Sequence, residues 1–409
     1  MHEWPWRAGW RARAVCMPAP ALRRVMVASA VAALALAVVS RSMSAPPAGI
    51  PQGNGFEGDL DGLGAWLEEG GADLSKVRVG AGNLGERGVL TAVGIGAGEV
   101  ILRIPLNKAI NTGPMSVTAS EAAVKLLREA FKRKSQRLPY VRSLPPPGSC
   151  DTLDLWGDRA LAALPLELAQ QAGERKQWAA KVFNESVRGK DKLFGGRAIS
   201  FELFSHAVCL VSSRTLGVQN SNGDTQKFLL PFVDLINHNA ELGPLNTVRL
   251  AASEHGIGPT HIEVVAGASI TADSEIFISY GKTHTPDETL AHYGFVEGVA
   301  STVSGATMLP LCTAHRSPSL DLMSLRGRTI RGKELAAELA RLVALADDVA
   351  ERRRASTATV TPAATAAIVQ TYWDECHARL RLAIASLRSR NAHGATTHGG
   401  PQGHGPGEL

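Results

Sequence analysis

Cysteine is scarce in this chain, and the few that occur stand apart. Cys16, Cys150, Cys209, Cys312 and Cys376 are scattered through 409 residues, the first of them in the N-terminal segment. No two have the close spacing of a zinc-binding pair, and the other four do not resemble the disulfide framework of a small secreted domain. Reduced cysteines, in a core or on the surface, are the expectation. Net charge is also missing from the body of the protein. The chain carries 43 Lys+Arg against 38 Asp+Glu, a formal +5. Residues 1–45 hold Arg7, Arg11, Arg13, Arg23, Arg24 and Arg41 against Glu3, so the leader accounts for the whole excess and residues 46–409 sum to zero. A general phosphate-binding surface has no support in that distribution, and no nucleic-acid partner is expected. Absent too is an apolar run of the ~20 residues that a membrane-spanning helix needs.

The longest candidate run, "VMVASAVAALALAVVS" at residues 25–40, follows a stretch of arginines and precedes "RSMSAPP". It fits the apolar part of a signal peptide or of an organelle-targeting leader, with small residues near Ala45 as a cleavage region. A cleaved leader over 1–45, addressed to an organelle with the plastid favoured, is the expectation. A membrane-tethering signal anchor is the rival.

What is present reads as globular: 44% hydrophobic and 20% charged residues, in a chain long enough for one large domain or two ordinary ones. After a Pro/Gly-rich linker at 46–58, "DLDGLGAWLEEGGADLSKV" predicts a short helix stopping at Gly70–Gly71. "ERGVLTAVGIGAGEVILRIP" reads as two strands around a glycine turn, and a related phrase, "VVAGASITADSEIFISYG", recurs later. In both, strand, isoleucine, turn, glutamate and strand follow one another, which suggests one sheet-rich unit assembled from distant segments. Between them the pattern is helical. Thr118 and Glu121 form a candidate capping box ahead of "AAVKLLREAFKRK", "SLPPPGSCD" is a break, and residues 157–190 are rich in helix formers. Ser200 caps a predicted helix with Phe201, Phe204, Val208 and Val211 on one face and Ser213–Arg214 at its far end. Two further stripes, Leu335 to Val349 and Val369 to Leu387, predict helix–helix core in the C-terminal part. The His-containing tail "NAHGATTHGGPQGHGPGEL", residues 391–409, reads as disordered.

The most informative stretch is "LPFVDLINHNAE", residues 230–241, where an apolar run ends in Asp234, Asn237, His238 and Asn239. Polar groups at the edge of a core need partners. Beside it stands "EIFISYGKTHTPDETLAHYGFV", residues 275–296, with Tyr280 at a strand end and Tyr293, Gly294 and Phe295 after a short helix. Each alone fits an ordinary turn or packing role; their joint order is what carries weight.

In that order the sequence resembles SET-domain methyltransferases, in the branch that contains the plastid Rubisco large-subunit lysine methyltransferase. The resemblance runs from about Leu60 to Glu297, through "LGAWLEEGGADL", the "ERGVLTAVGIGAGEVILRIP" hairpin, "LPYVRSLPPPGSCDTLDLW", "AVCLVSSRTLGV", "LLPFVDLINHN" and the closing "ISYG…HYGFV". It implies an α+β SET-domain fold of small sheets over residues 59–298, split by a helical insertion at about 114–228. A helical C-terminal domain at 299–390 would dock the substrate. It also implies a protein-lysine N-methyltransferase that uses S-adenosylmethionine on a non-histone protein, without a metal and as a monomer. Protein-histidine methylation and a catalytically silent SET-like binding module are the alternatives. By the same resemblance Asn237 and His238 hold the cofactor, Asp234 supports their turn, and Glu86, Arg87 and Gly88 meet it through backbone atoms. Ser213 and Arg214 match the pair near its carboxylate, Phe295 packs on the adenine, Tyr293 lines the lysine channel, and Tyr280 is both catalytic and a cofactor contact. In-line methyl transfer needs a neutral amine aligned behind the S–CH3 bond, and a desolvated aromatic channel beside a sulfonium lowers a lysine pKa. The chain departs from the family at Asp273–Ser274, where a glycine and an acid are usual, and it has no cysteine-rich zinc segment after the domain.

Overall fold

The computed structural model describes residues 56–82, 86–132, 134–219, 223–239, 246–252, 259–280, 285–296, 312, 333–356 and 363–396. The leader, most of the linker and the last thirteen positions of the tail, 397–409, lie outside the described residues. No helix among the described residues is long and apolar enough to cross a membrane.

The chain enters through α1 (Leu63–Glu69), which stops at Gly70 as the glycine pair predicts. Strands β1 (Val77–Ala81) and β2 (Arg87–Thr91) then form an antiparallel pair, followed by β3 (Val100–Pro105) and β4 (Ile110–Pro114). The expected hairpin between the two strands of "ERGVLTAVGIGAGEVILRIP" does not form. β2 pairs with β1, whereas β3 pairs with β9 (Pro259–Val265), about 160 positions further on. β2 and the glycine-rich stretch after it close on the later, related phrase instead, through bridges Leu90↔Glu275 and Ile95↔Ile270 respectively. The two similar phrases thus lie against each other, and the sheet-rich unit is built from distant segments as their likeness suggested.

The helical stretch begins with α2 (Ala119–Phe131), entered through the complete Thr118–Glu121 capping box. After α3 (Leu138–Ser143) and the proline-rich break come α4 (Asp158–Leu161) and α5 (Leu166–Ser186). α6 (Phe201–Arg214) is capped by the Ser200 hydroxyl, which accepts from Leu203 N. Its Phe204, Val208 and Val211 are buried as expected, but Phe201 is exposed. Strands β5 (Thr215–Gln219) and β6 (Thr225–Leu229) join β4 in the order β4-β6-β5, and β8 (Thr247–Ala252) flanks β9 in the order β3-β9-β8. A last pair, β7 (Asn237–His238) and β10 (Phe277–Ile278), runs parallel and precedes α7 (Pro286–Tyr293).

Two apolar cores result. The larger packs α1, α2, α3 and α6 against the small sheets, around Leu67, Leu102, Leu126, Tyr140, Phe204 and Ile236. The second is dominated by α8 (Lys333–Ser356) and α9 (Ala363–Thr396). Leu342, Ala346 and Val349 of α8 face Val369, Tyr372 and Leu380 of α9, so both predicted stripes bury where their side chains are described; those of Leu335 and Leu387 are not. α9 runs through to Thr396, past Asn391 where the tail was expected to begin.

The cysteines correct the sequence reading. Cys150 is bonded to Cys209 and Cys312 to Cys376, so all four beyond the leader are paired rather than reduced. The Cα atoms lie 6.2 and 5.7 Å apart, within the span of a disulfide. Partners 59 and 64 positions apart leave no spacing signature in the sequence, which is why the pairing could not be read from it.

Candidate active site

The turn at "LPFVDLINHN" answers its own question about partners. Phe232 sits at φ 69°, turning the apolar run so that the Asp234 side chain is buried and Asn237 and His238 become β7. Parallel pairing sets Asn237 opposite Phe277 and His238 opposite Ile278, which brings residues 40 apart in sequence into one ladder. The Asn237 amide donates from Nδ2 to the Arg87 carbonyl (3.1 Å) and to the Glu275 carboxylate (2.8 Å). Asn237 therefore fastens β7 to the β1–β2 hairpin and to the segment leading into β10. Tyr280 N donates to His238 Nδ1 at 3.1 Å, so that ring nitrogen is an acceptor.

Around His238 stands a cluster of rings. Tyr280 stacks on it at 5.0 Å, Tyr293 lies 4.9 Å from Tyr280, and Phe295 is 6.1 Å from His238 and 5.9 Å from Tyr293. Gly294 makes the last two compatible. It ends α7 at φ 77°, and a Cβ there would come within 2.5 Å of the Asp151 carbonyl oxygen. Only glycine turns the chain here, between two rings that both reach the cluster. The Tyr280 hydroxyl donates to the Ile236 carbonyl (2.9 Å), and burial pushes its pKa up. Tyr293 is likewise raised, to about 12, by burial and then by Glu288. Both phenols stay protonated at neutral pH. Neither is a general base, but each oxygen keeps lone pairs that can accept from an amine.

Below the rings lies a charged layer. Arg214 Nη1 donates to the Asp234 carbonyl (3.0 Å) and reaches its Oδ2 at 3.5 Å, and Tyr140 Oη donates to the same Oδ2 at 3.1 Å. Asp234 Oδ1 has no hydrogen-bond partner among the described residues. Burial raises the Asp234 pKa, opposed first by Arg214, while burial and then repulsion from Arg214 lower that of Arg87. Arg214 is thus the guanidinium paired with the buried Asp234 carboxylate, with Arg87 close enough for its charge to be felt by both. Ser213, Arg214, Asp234, Tyr280 and Tyr293 line one recess with Val233 and Ile278. Ser213 is committed elsewhere, its hydroxyl donating to the Cys209 carbonyl within α6 (2.9 Å).

On the hairpin side, Glu86 lies near enough to Tyr280 to raise its pKa. Gly88 packs against the Glu275 carboxylate and Asn237, where a Cβ would fall 2.5 and 3.1 Å from their polar atoms. All eleven residues singled out from the sequence therefore belong to one neighbourhood, although Ser213 contributes mainly to its own helix.

Solved structures resemble this fold. The chain is similar to the SET domain of LSMT bound to lysine and AdoHcy, at 15% identity over 82% of this chain and 92% of that one, with a TM-score of 0.53. It is also similar to Rubisco LSMT bound to AdoMet, at 16% identity over the same shares, with a TM-score of 0.52. The chain has a SET-domain fold. No protein-family model matches the sequence, and no curated protein does. The fold-level likeness covers more of the chain than the motifs from Leu60 to Glu297.

Within this SET-domain fold, several supporting residues were not singled out from the sequence. Tyr140 is fully buried and holds Asp234. Asp151 presses its carbonyl on Gly294, and the adjoining Cys150–Cys209 bond ties that segment to α6 one turn before Ser213. Glu275 is the most telling. The two related strand phrases place Glu99 and Glu275 alike, yet Glu99 pairs with Lys76 at the surface while Glu275 holds Asn237. Local sequence could flag both glutamates but not tell them apart.

Proposed function

We propose that the protein is an S-adenosylmethionine-dependent protein N-methyltransferase whose target is a lysine of a non-histone protein. The observation that carries this reading is the convergence of Asn237–His238 with Tyr280, Tyr293 and Phe295 on the parallel β7–β10 pair. The SET-domain fold supports it, as does the lysine in the similar LSMT structure. When bound, S-adenosylmethionine supplies a sulfonium-activated methyl group. Its charges and surfaces fit what the chain offers: the Arg214 guanidinium suits a carboxylate, the Asn237 amide an amino-acid head, and the rings of His238 and Phe295 a flat base. Glu86 and Gly88 border the same hairpin. Tyr293 and Tyr280 form an apolar wall with two hydroxyls, which disfavours a charged ammonium by desolvation and orients the neutral amine through its N–H groups. The proton is lost to water, since no nearby phenol is ionised to take it.

The test is direct. Purified protein incubated with labelled cofactor and a cell lysate should label protein, and mass spectrometry should place the methyl on lysine. Labelled histidine would replace the target, and no labelling beside measurable cofactor binding would leave a silent binding module. We further propose that residues 1–45 are a targeting leader removed in the mature protein; the two disulfides support a destination where thiols are oxidised. Sequencing the N-terminus of protein isolated from its native cell should give a start near residue 45.

A further inference from the structure

Glu275 is the carboxylate that most closely meets the Asn237 amide, and its surroundings make it more than a surface acid. Its carboxyl group lies flat on Gly82 and Gly88, where a Cβ on either would fall 2.5 Å from it. Glu275 bridges to Leu90 of β2 and stands two positions before the start of β10, so it is held between two strands. Asn237 Nδ2 has two hydrogens. One goes to the Arg87 carbonyl and the other to Glu275. Both partners can only accept, so a flipped amide would set Oδ1 against two acceptors; the orientation follows from the partners alone. The amide's carbonyl end, Oδ1, is thereby the atom left to meet a ligand, and it can meet only a donor.

We infer that Glu275 is a positioning residue that fixes the Asn237 amide with its oxygen presented to the cationic α-ammonium of the cofactor's amino-acid head. A carboxylate 2.8 Å behind Nδ2 polarises the amide toward its oxygen and adds negative potential, which favours a cationic donor over a neutral one such as the adenine amino group. The assignment rests on the proposed function, because it presumes that ligand. It gives a reason for glycine at both 82 and 88, since any side chain there would displace the carboxylate.

Calorimetric titration of S-adenosylhomocysteine and of its analogue lacking the α-amino group separates the possibilities. Glu275→Ala should weaken the amine-bearing ligand by about tenfold, the worth of one well-made hydrogen bond to a charged group. Binding of the deaminated analogue should not change, and Glu275→Gln, whose amide oxygen can still accept from Nδ2, should restore most of the loss. Should Glu275→Ala not fold, Glu275→Asp, which withdraws the carboxylate by one methylene, carries the same two-ligand comparison. Equal losses for both ligands would overturn the inference, because they mean a merely structural role or an adenine contact. Unchanged affinity in a folded variant would overturn it as well. A wild-type protein that binds neither ligand would sink the proposed function itself, and this assignment with it.

Discussion

The core that carries the site and the core of the C-terminal helices reach burial by different routes. The first draws its strands from positions some 160 residues apart, in β3 and β9, and interrupts them with α2 to α6. The second is in the main a helical hairpin, α8 against α9, joined by Leu153, Trp156, Leu161 and Leu168 from the helical stretch and by Leu290 and Ala291 from α7. Polar groups follow the same division. Around the site, buried charges are shared among distant elements, as with Asp234, Arg214 and Tyr140; in α9 the buried Glu375 and Arg379 pair with each other one turn apart. Long-range construction lets one turn hold groups from four segments, which a chemical site needs. Local construction yields a stable face at little cost in specificity. Helix α7 belongs to both: its last residue is Tyr293 of the ring cluster, while Tyr372 of α9 donates to its Asp287 at 2.6 Å.

The contrast predicts that changes in the first region damage chemistry and changes in the second damage stability. Tyr280→Phe should show the largest effect on activity. Loss of its hydroxyl should lower turnover by two to three orders of magnitude, corresponding to ~2–4 kcal/mol in the transition state, with cofactor affinity little changed. Parallel turnover assays and titrations check this, and matched small changes in both would remove Tyr280 from the chemistry. Next comes Cys312→Ser together with Cys376→Ser. Opening a loop closed over 64 positions should cost about 4 kcal/mol in the chain-entropy account, read as a lower melting temperature of the second core while cofactor still binds.

A third prediction concerns acid. His206 is buried against Phe56, its Nε2 donates to the Pro145 carbonyl at 2.9 Å, and burial drops its pKa to about 4. A base whose folded pKa is depressed stabilises the fold above its unfolded pKa of about 6.5 and loses that contribution as pH falls toward 4. Stability should decline by roughly 3 kcal/mol across that window. His206→Gln should flatten that part of the pH profile, and an unchanged profile would show that another group is responsible. The smallest effect is expected at the shared helix. Tyr372→Phe should cost ~1–3 kcal/mol of stability by withdrawing a donor from the buried Asp287. Because α7 also carries Tyr293, the substrate KM should shift more than kcat; a stability loss with no kinetic trace would mean that the two regions are insulated.

Much of this plan is legible in the sequence because local chemistry writes it. The Thr118 box, the Ser200 cap, the Gly70 stop and the buried stripes of α8 and α9 each depend on neighbours within a turn or two. The residues of the candidate site were singled out through the order of family motifs rather than through periodicity. What stayed hidden is pairing at a distance. Nothing near β2 says that it will decline β3 and join β1, and nothing near Cys150 names Cys209. Glu99 and Glu275 occupy like places in like phrases, and only the fold separates a surface ion pair from a member of the site.

The pairing of early with late strands also sets a clock. The hairpin bearing Gly82 and Gly88 leaves the ribosome long before Glu275 does, and β3 precedes its partner β9 by a similar stretch. At typical synthesis rates of 5–20 residues per second that interval is roughly 10–40 s, during which both strands present unpaired edges. A truncated chain ending before about residue 259 therefore leaves β3 without its β9 partner and the site without Glu275, Tyr280 and Tyr293, although α1 to α6 are all present.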